Sequence, residues 1–123
     1  DLKHLRGGQV DLDFIAQYLQ LRHGHAHPEI LAREGSTVFA RARDLGLIDA
    51  EAADQLIEIG RFWRQLQQMI RLLVGAAVDE AALGEATQRH LAASAGVDSF
   101  AALKSMIKER AATAFGLFKK LIG

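Results

Sequence analysis

Apolar residues recur every three or four positions along most of the chain, and the strict alternation of a half-buried strand is absent. Val10, Phe14, Ile15, Tyr18 and Leu19 trace one face of a first helix that should run to about Arg22, with Gly24 able to end it. His25-Ala26-His27 is a short connector, and Pro28 suits the first turn of a brief helix reaching Leu31 or Ala32. Ser36 is a plausible N-cap for a helix over Thr37 to Leu45, with Gly46 as its stop. Asp49 can cap the longest helix, from Ala50 to about Val74, whose inner stripe reads Ala53, Leu56, Ile57, Gly60, Trp63, Leu66, Met69, Ile70 and Leu73. A glycine inside a helix costs about 1 kcal/mol against alanine, so Gly60 suggests close helix packing.

Gly75 to Val78 reads as a loop, and Asp79 opens a weaker helical stretch containing Gln88, His90 and Leu91 that ends near Gly96. Asp98 or Ser99 can cap a last helix whose inner face is Phe100, Leu103, Ile107, Ala111, Phe115, Phe118 and Ile122. Lys119 and Lys120 in its last turn complement the helix dipole. No repeat, low-complexity tract or linker interrupts the pattern. The expected fold is all-α, an antiparallel bundle of about five to six helices with short connections, and residues 1–123 form a single helical domain.

Composition narrows the function classes more than it names one. The chain has 123 residues, enough for a real core. A single proline agrees with long unbroken helices, and the lack of cysteine excludes disulfides and thiolate metal sites. Fifteen basic and fifteen acidic residues cancel, so no broad positive field calls for nucleic acid. No apolar run approaches the roughly 20 residues that span a bilayer, and a cytoplasmic location is expected.

The opening stretch is the densest in candidate chemistry. Lys3, Arg6, Gly7 and Gly8 precede the first helix, and Asp11 and Asp13 sit in its first turn. Glycines allow close backbone approach and helix starts attract anions, so Lys3, Arg6, Gly7 and Gly8 are candidates to face nucleotide or phosphate. The plainer reading is a connector whose glycines permit a sharp turn. Asp11 and Asp13 are candidates to support magnesium or to orient Lys3 or Arg6; equally, acids in a first turn offset the helix dipole. Two carboxylates without a third ligand do not define a metal site. His23, His25 and His27 alternate across a helix end and a proline turn, where three imidazoles do not converge, so no metal site is assigned. Tyr18, Phe62 and Trp63 fall in apolar stripes and read as core rather than a base-stacking platform. Arg61, Arg64 and Arg71, like Lys104, Lys108, Lys119 and Lys120, read as solvated charge.

The opening run Asp1-Leu2-Lys3, then Gly7-Gly8, Asp11-Leu12-Asp13-Phe14 and Gln17, resembles the segment that follows the catalytic domain of glutamine synthetase adenylyltransferase. Leu19 to Pro28, Leu45-Gly46-Leu47-Ile48-Asp49 and the ending Phe118 to Gly123 are also similar to that family. Asp13 departs from the pattern, which has glutamate there. The resemblance implies a helical domain, closest to that of the C-terminal, adenylylating half. Its residues 1–9 would form the junction to an upstream nucleotidyltransferase domain. The parent enzyme would transfer AMP from ATP, with Mg2+, to a tyrosine of glutamine synthetase, and remove it by phosphorolysis in its other half, regulating nitrogen assimilation. Its partners would be that upstream domain, glutamine synthetase and a nitrogen-signalling regulatory protein.

The family's catalytic carboxylates lie on a sheet after a Gly-Ser turn. Gly35-Ser36 is followed by helix instead, so the fragment alone is expected to be inactive and to hold neither ATP nor Mg2+ tightly. Two alternatives remain open: the helical domain of a related signal-protein uridylyltransferase, or a non-catalytic helical interaction module. The latter would have its natural start near Asp1.

Overall fold

A computed structural model describes residues 5–74 and 84–122, apart from the side chains of residues 73 and 74. It contains α1 (Gln9–His23), a 3-10 turn (Pro28–Ile30), α2 (Gly35–Asp44), α3 (Ala50–Val74), α4 (Glu85–Ser94) and α5 (Phe100–Ile122). There is no strand among the described residues. The expected loop over Gly75 to Val78, the helix start at Asp79 and the Leu73 side chain lie outside what is described.

Caps explain several of the boundaries. Asp49 Oδ2 accepts the Ala52 N–H at 3.2 Å, and Ser99 Oγ accepts the Ala102 N–H at 3.1 Å, which settles Ser99 over Asp98 as the cap of α5. Leu47 N–H reaches back to Ala42 O at 2.9 Å and Gly46 N–H to Arg43 O at 3.0 Å, closing α2 with Gly46 at φ +72°. α4 ends through the same pair of bonds, Val97 to Ala92 and Gly96 to Ala93. The connector after α1 is pinned by Gln20, whose Oε1 accepts the Ala32 N–H at 3.0 Å, and by Arg41, which donates to Glu29 O at 2.7 Å.

Three expectations need correction. α2 begins at Gly35 rather than Thr37, because the Glu34 carbonyl accepts both Thr37 and Val38 N–H; Ser36 is therefore helical and caps nothing. The buried face of α1 is Leu12, Ile15, Ala16 and Leu19, while Val10 and Phe14 are exposed. The deepest residues of α5 are Leu103, Ala111, Ala114 and Leu117, with Phe115 and Phe118 only half-buried.

The hydrophobic core is continuous and α3 is its axis, touching α1, α2, α4 and α5. Leu56, Ile59, Trp63, Leu66 and Ile70 of α3 meet Leu12, Ile15 and Leu19 of α1, Val38 and Phe39 of α2, and Leu91 and Leu103 beyond. Between α3 and α5, Arg110 pairs with Glu58 at 3.0 Å and lies 5.2 Å from the Phe62 ring centre.

Gly60 is looser than expected. A β-carbon there would stand 3.6 Å from Leu12 Cδ1 and 3.4 Å from the mobile end of Arg64. Gly60→Ala should therefore raise stability by about 0.5–1 kcal/mol, the entropic cost of helical glycine. A higher urea midpoint at unchanged slope is the expected result; a lower midpoint would mean that Leu12 cannot give way.

Candidate functional site

The opening glycines are built into the bundle. Gly7 takes φ +83°, a backbone conformation that a β-carbon disfavours. The turn preceding α1 leaves its N–H groups without helical acceptors, and two of them find one nearby. Gly7 N–H donates to Asp11 Oδ2 at 2.6 Å, and Gly8 N–H donates to Leu5 O at 2.9 Å. Asp11 is the third residue of α1, so its carboxylate reaches back over the helix start much as the acid of a capping box does. The Gly7 carbonyl accepts the indole N–H of Trp63 at 3.2 Å, fifty-six positions away on α3. The Gly7 Cα lies against α5, where an added β-carbon would fall 1.9 Å from Ala111 O. One residue thus joins α1, α3 and α5.

Arg6 closes the outer side of this turn. Its Nε donates to Asp11 Oδ2 at 3.2 Å, and its guanidinium lies 4.3 Å from the Phe115 ring centre and 5.7 Å from that of Phe118. Lys119 Nζ approaches Phe115 as well, at 4.9 Å. Phe118 in turn packs on Phe14 with ring centres 5.8 Å apart. The Arg6 side chain is still 63% exposed, so it can meet an anion from solvent while remaining anchored.

The structure therefore brings Arg6, Gly7, Gly8 and Asp11 together. Asp11 accepts a hydrogen bond from Arg6, the contact through which it would orient that side chain. The Gly7 and Gly8 amides point at internal acceptors, so in this arrangement neither is offered to a phosphate. Lys3 lies outside the described residues. Asp13 stands apart from the turn: it is exposed, accepts Gln9 Nε2 at 2.9 Å, and lines a small cleft with Arg33 and Arg64. Trp63 and Ala111 are the residues that sequence reasoning placed in the core without a site role. The only signal was a run of small residues in α5, Ala111-Ala112-Thr113-Ala114, that lets another backbone approach. Removing the Asp11 carboxylate by Asp11→Ala should cost about 1–2 kcal/mol through the unpaired Gly7 N–H, with partial recovery in Asp11→Asn; denaturant midpoints check both.

The sequence pattern of a family described as GlnD PII-uridylyltransferase matches residues 1–122. The chain belongs to that family. Among curated relatives, the bifunctional glutamine synthetase adenylyltransferase/adenylyl-removing enzyme of Rhodopseudomonas palustris strain HaA2 is 37% identical over 123 residues, all of this chain and 12% of that protein. The enzyme of the same name from strain TIE-1 is 35% identical over 123 residues, with the same shares. That from Xanthobacter autotrophicus is 36% identical over 122 residues, 99% of this chain and 12% of the relative. The chain thus spans about an eighth of the length of these relatives. No solved structure matches it.

In this member of the GlnD PII-uridylyltransferase family the three histidines are spread over the end of α1, the following turn and the residue before Pro28. Among the described residues, no group of three or more His, Asp or Glu side chains could hold a metal ion. Burial first, then the charges of Arg22 and His27, holds the His23 imidazole below its ordinary value of 6.5. A lowered histidine favours the neutral form in the fold, so its contribution is present above the unfolded value and is lost as pH falls below about 6.5. His23→Gln should flatten the fall in urea midpoint between neutral and acid pH. Tyr18 accepts a hydrogen bond from Arg22 at 3.2 Å and Trp63 is buried, so neither offers an open stacking face. No helix among the described residues is long and apolar enough to cross a membrane.

Proposed function

We propose that this chain is the helical domain of a bifunctional glutamine synthetase adenylyltransferase/adenylyl-removing enzyme, standing directly after a nucleotidyltransferase domain. The observation that carries this reading is whole-chain identity of 34–37% to enzymes of that name, together with the opening Lys3, Gly7-Gly8 and Asp11 pattern. The same relatives favour this reading over the signal-protein uridylyltransferase and over a module without a catalytic partner.

In the parent, a tyrosine hydroxyl of glutamine synthetase attacks the α-phosphorus of ATP. The new O–P bond forms as the bond to pyrophosphate breaks, and the tyrosine proton leaves to a base or solvent. The other half of the parent removes AMP by phosphorolysis. Mg2+ and ATP belong to the nucleotidyltransferase domain, because Asp11 is already committed to Gly7 and Arg6 and offers no open ligand set. The fragment alone is inactive.

The bundle's own contribution is positional. The Gly7 turn joins three helices, so Arg6 beside it is presented from a fixed point. Lys3 and Arg6 are then the side chains that face the triphosphate, and Asp11 holds Arg6 in place. Glutamine synthetase and a nitrogen-signalling regulator are the expected protein partners of the parent, in the cytoplasm.

The test uses the parent chain with glutamine synthetase and ATP labelled at the α-phosphate. Label should appear on glutamine synthetase, and Lys3→Ala, matched for thermal stability, should lower its rate by at least about tenfold. Label unaffected by Lys3→Ala would reduce the opening residues to a connector. No transfer from ATP, with transfer from UTP to a small regulatory protein instead, would replace this reading with the uridylyltransferase.

A further inference from the structure

Positive charge is gathered on α5. The chain as a whole is neutral, yet Phe100–Ile122 carries five basic residues, Lys104, Lys108, Arg110, Lys119 and Lys120, against Glu109 alone. Arg110 is taken by Glu58 of α3. Lys108, Lys119 and Lys120 are exposed, and none of them has a carboxylate partner among the described residues. Lysines in a last turn are ordinarily explained by the helix dipole, whose negative end they face. Lys119 is placed differently. Its Nζ folds back along the helix to 4.9 Å from the Phe115 ring centre, one turn earlier and so away from the final carbonyls.

The Arg6 guanidinium lies 4.3 Å from the same ring centre, tethered by Asp11. Two cations far apart in the sequence thus share one aromatic ring. Each is attracted by the ring, while the two repel one another. Asp11 offsets only one of the two charges. Its side chain is 15% exposed and that of Arg6 63%, so the face that solvent meets is cationic. Glu109 stands about a third of a turn round the helix from Phe115 and adds no acid to this face. The pair is complemented by an anion whose charge is spread over several oxygens, because such a group meets a guanidinium fork and an ammonium at once. A polyphosphate chain presents oxygens to both along its length.

We infer that Lys119 is a further binding residue for the triphosphate of ATP, set beside Arg6 on the Phe115 ring; this rests on the reading above, in which Arg6 faces that triphosphate. Arg6 supplies a planar fork and Lys119 a compact charge on a flexible stem. One comes from the turn before α1 and the other from the last turn of α5, so the phosphate chain is met by both only when the bundle is folded. The bundle then contributes its far end, as well as its opening turn, to holding the nucleotide.

The test measures AMP transfer to glutamine synthetase by the full parent chain at varied ATP, with variants matched for thermal midpoint. Lys119→Ala should raise the KM for ATP by about tenfold or more, the loss expected of one charged contact, and leave the KM for glutamine synthetase unchanged. Lys119→Arg keeps the charge and should recover most of the loss. Lys120→Ala removes the same charge from the same turn and should alter neither constant. An unchanged KM for ATP in Lys119→Ala, an equal rise in Lys120→Ala, or a rise confined to glutamine synthetase would each overturn the inference. The last of these would make the pair a contact for an acidic protein surface instead. Transfer that proceeds with an unchanged KM for ATP in Lys119→Ala discards this inference and keeps the reading beneath it. A parent that transfers no AMP from ATP discards both.

Discussion

Gly7→Ala should be the most damaging single methyl group that can be added to this protein. Two costs combine. The backbone at φ +83° suits glycine, and a residue with a β-carbon held there costs about 1–3 kcal/mol. The new carbon would also fall 1.9 Å from the Ala111 carbonyl oxygen, on a helix backbone that cannot rotate away, and overpacking of this kind costs about another 1–3 kcal/mol. Together they remove a third or more of the stability of an ordinary domain. The expected readout is a fall in Tm of at least about 10 °C, or no cooperative transition at all. Gly46→Ala is the matched control, since Gly46 has φ +72° with nothing within 4 Å of its added carbon. It should show the backbone cost alone. Equal losses at both positions would mean that the turn swings clear of α5.

Trp63→Ala comes next, at about 3–5 kcal/mol for a buried aromatic side chain. Trp63 is 3% exposed and packs in the common core of α1, α3 and α5. Trp63→Phe separates its two roles. Phenylalanine keeps much of the apolar contact but cannot donate to the Gly7 carbonyl, leaving a buried acceptor unpaired at about 1–3 kcal/mol. Denaturant midpoints of the two variants measure both quantities. If the acceptor is worth what the geometry implies, Trp63→Phe and Asp11→Ala should also be non-additive, because both hold the same turn.

The sequence told much about the helices and little about how they meet. Helical period and caps placed α3 and α5 closely, since Asp49 and Ser99 act locally. α2 was misplaced because its first turn is closed by the Glu34 carbonyl, a backbone acceptor that any residue can supply. The outer face of α1 was misread for another reason: Val10, Phe14, Ile15 and Leu19 are all apolar, and periodicity cannot tell a face buried in the bundle from one left exposed.

The candidate site divided in the same way. The pairing of Asp11 with Arg6 was legible, being five positions apart. The partners of Gly7 on α3 and α5 were not, because fifty-six and more positions separate them from it and only tertiary packing brings them together. The resemblance pointed to the Gly7-Gly8 pair, and the structure shows why a glycine stands at Gly7.

Amide hydrogen exchange at Gly7 tests the central claim, that the opening turn is a locked part of the bundle. Its N–H is bound to Asp11 while its carbonyl holds Trp63, so it should open only when the core opens. The account predicts protection within about tenfold of the Leu56 amide at the centre of α3. Exchange at the rate of a free loop amide would contradict it, return Gly7 and Gly8 to the role of a pliant connector, and leave their amides open to a phosphate.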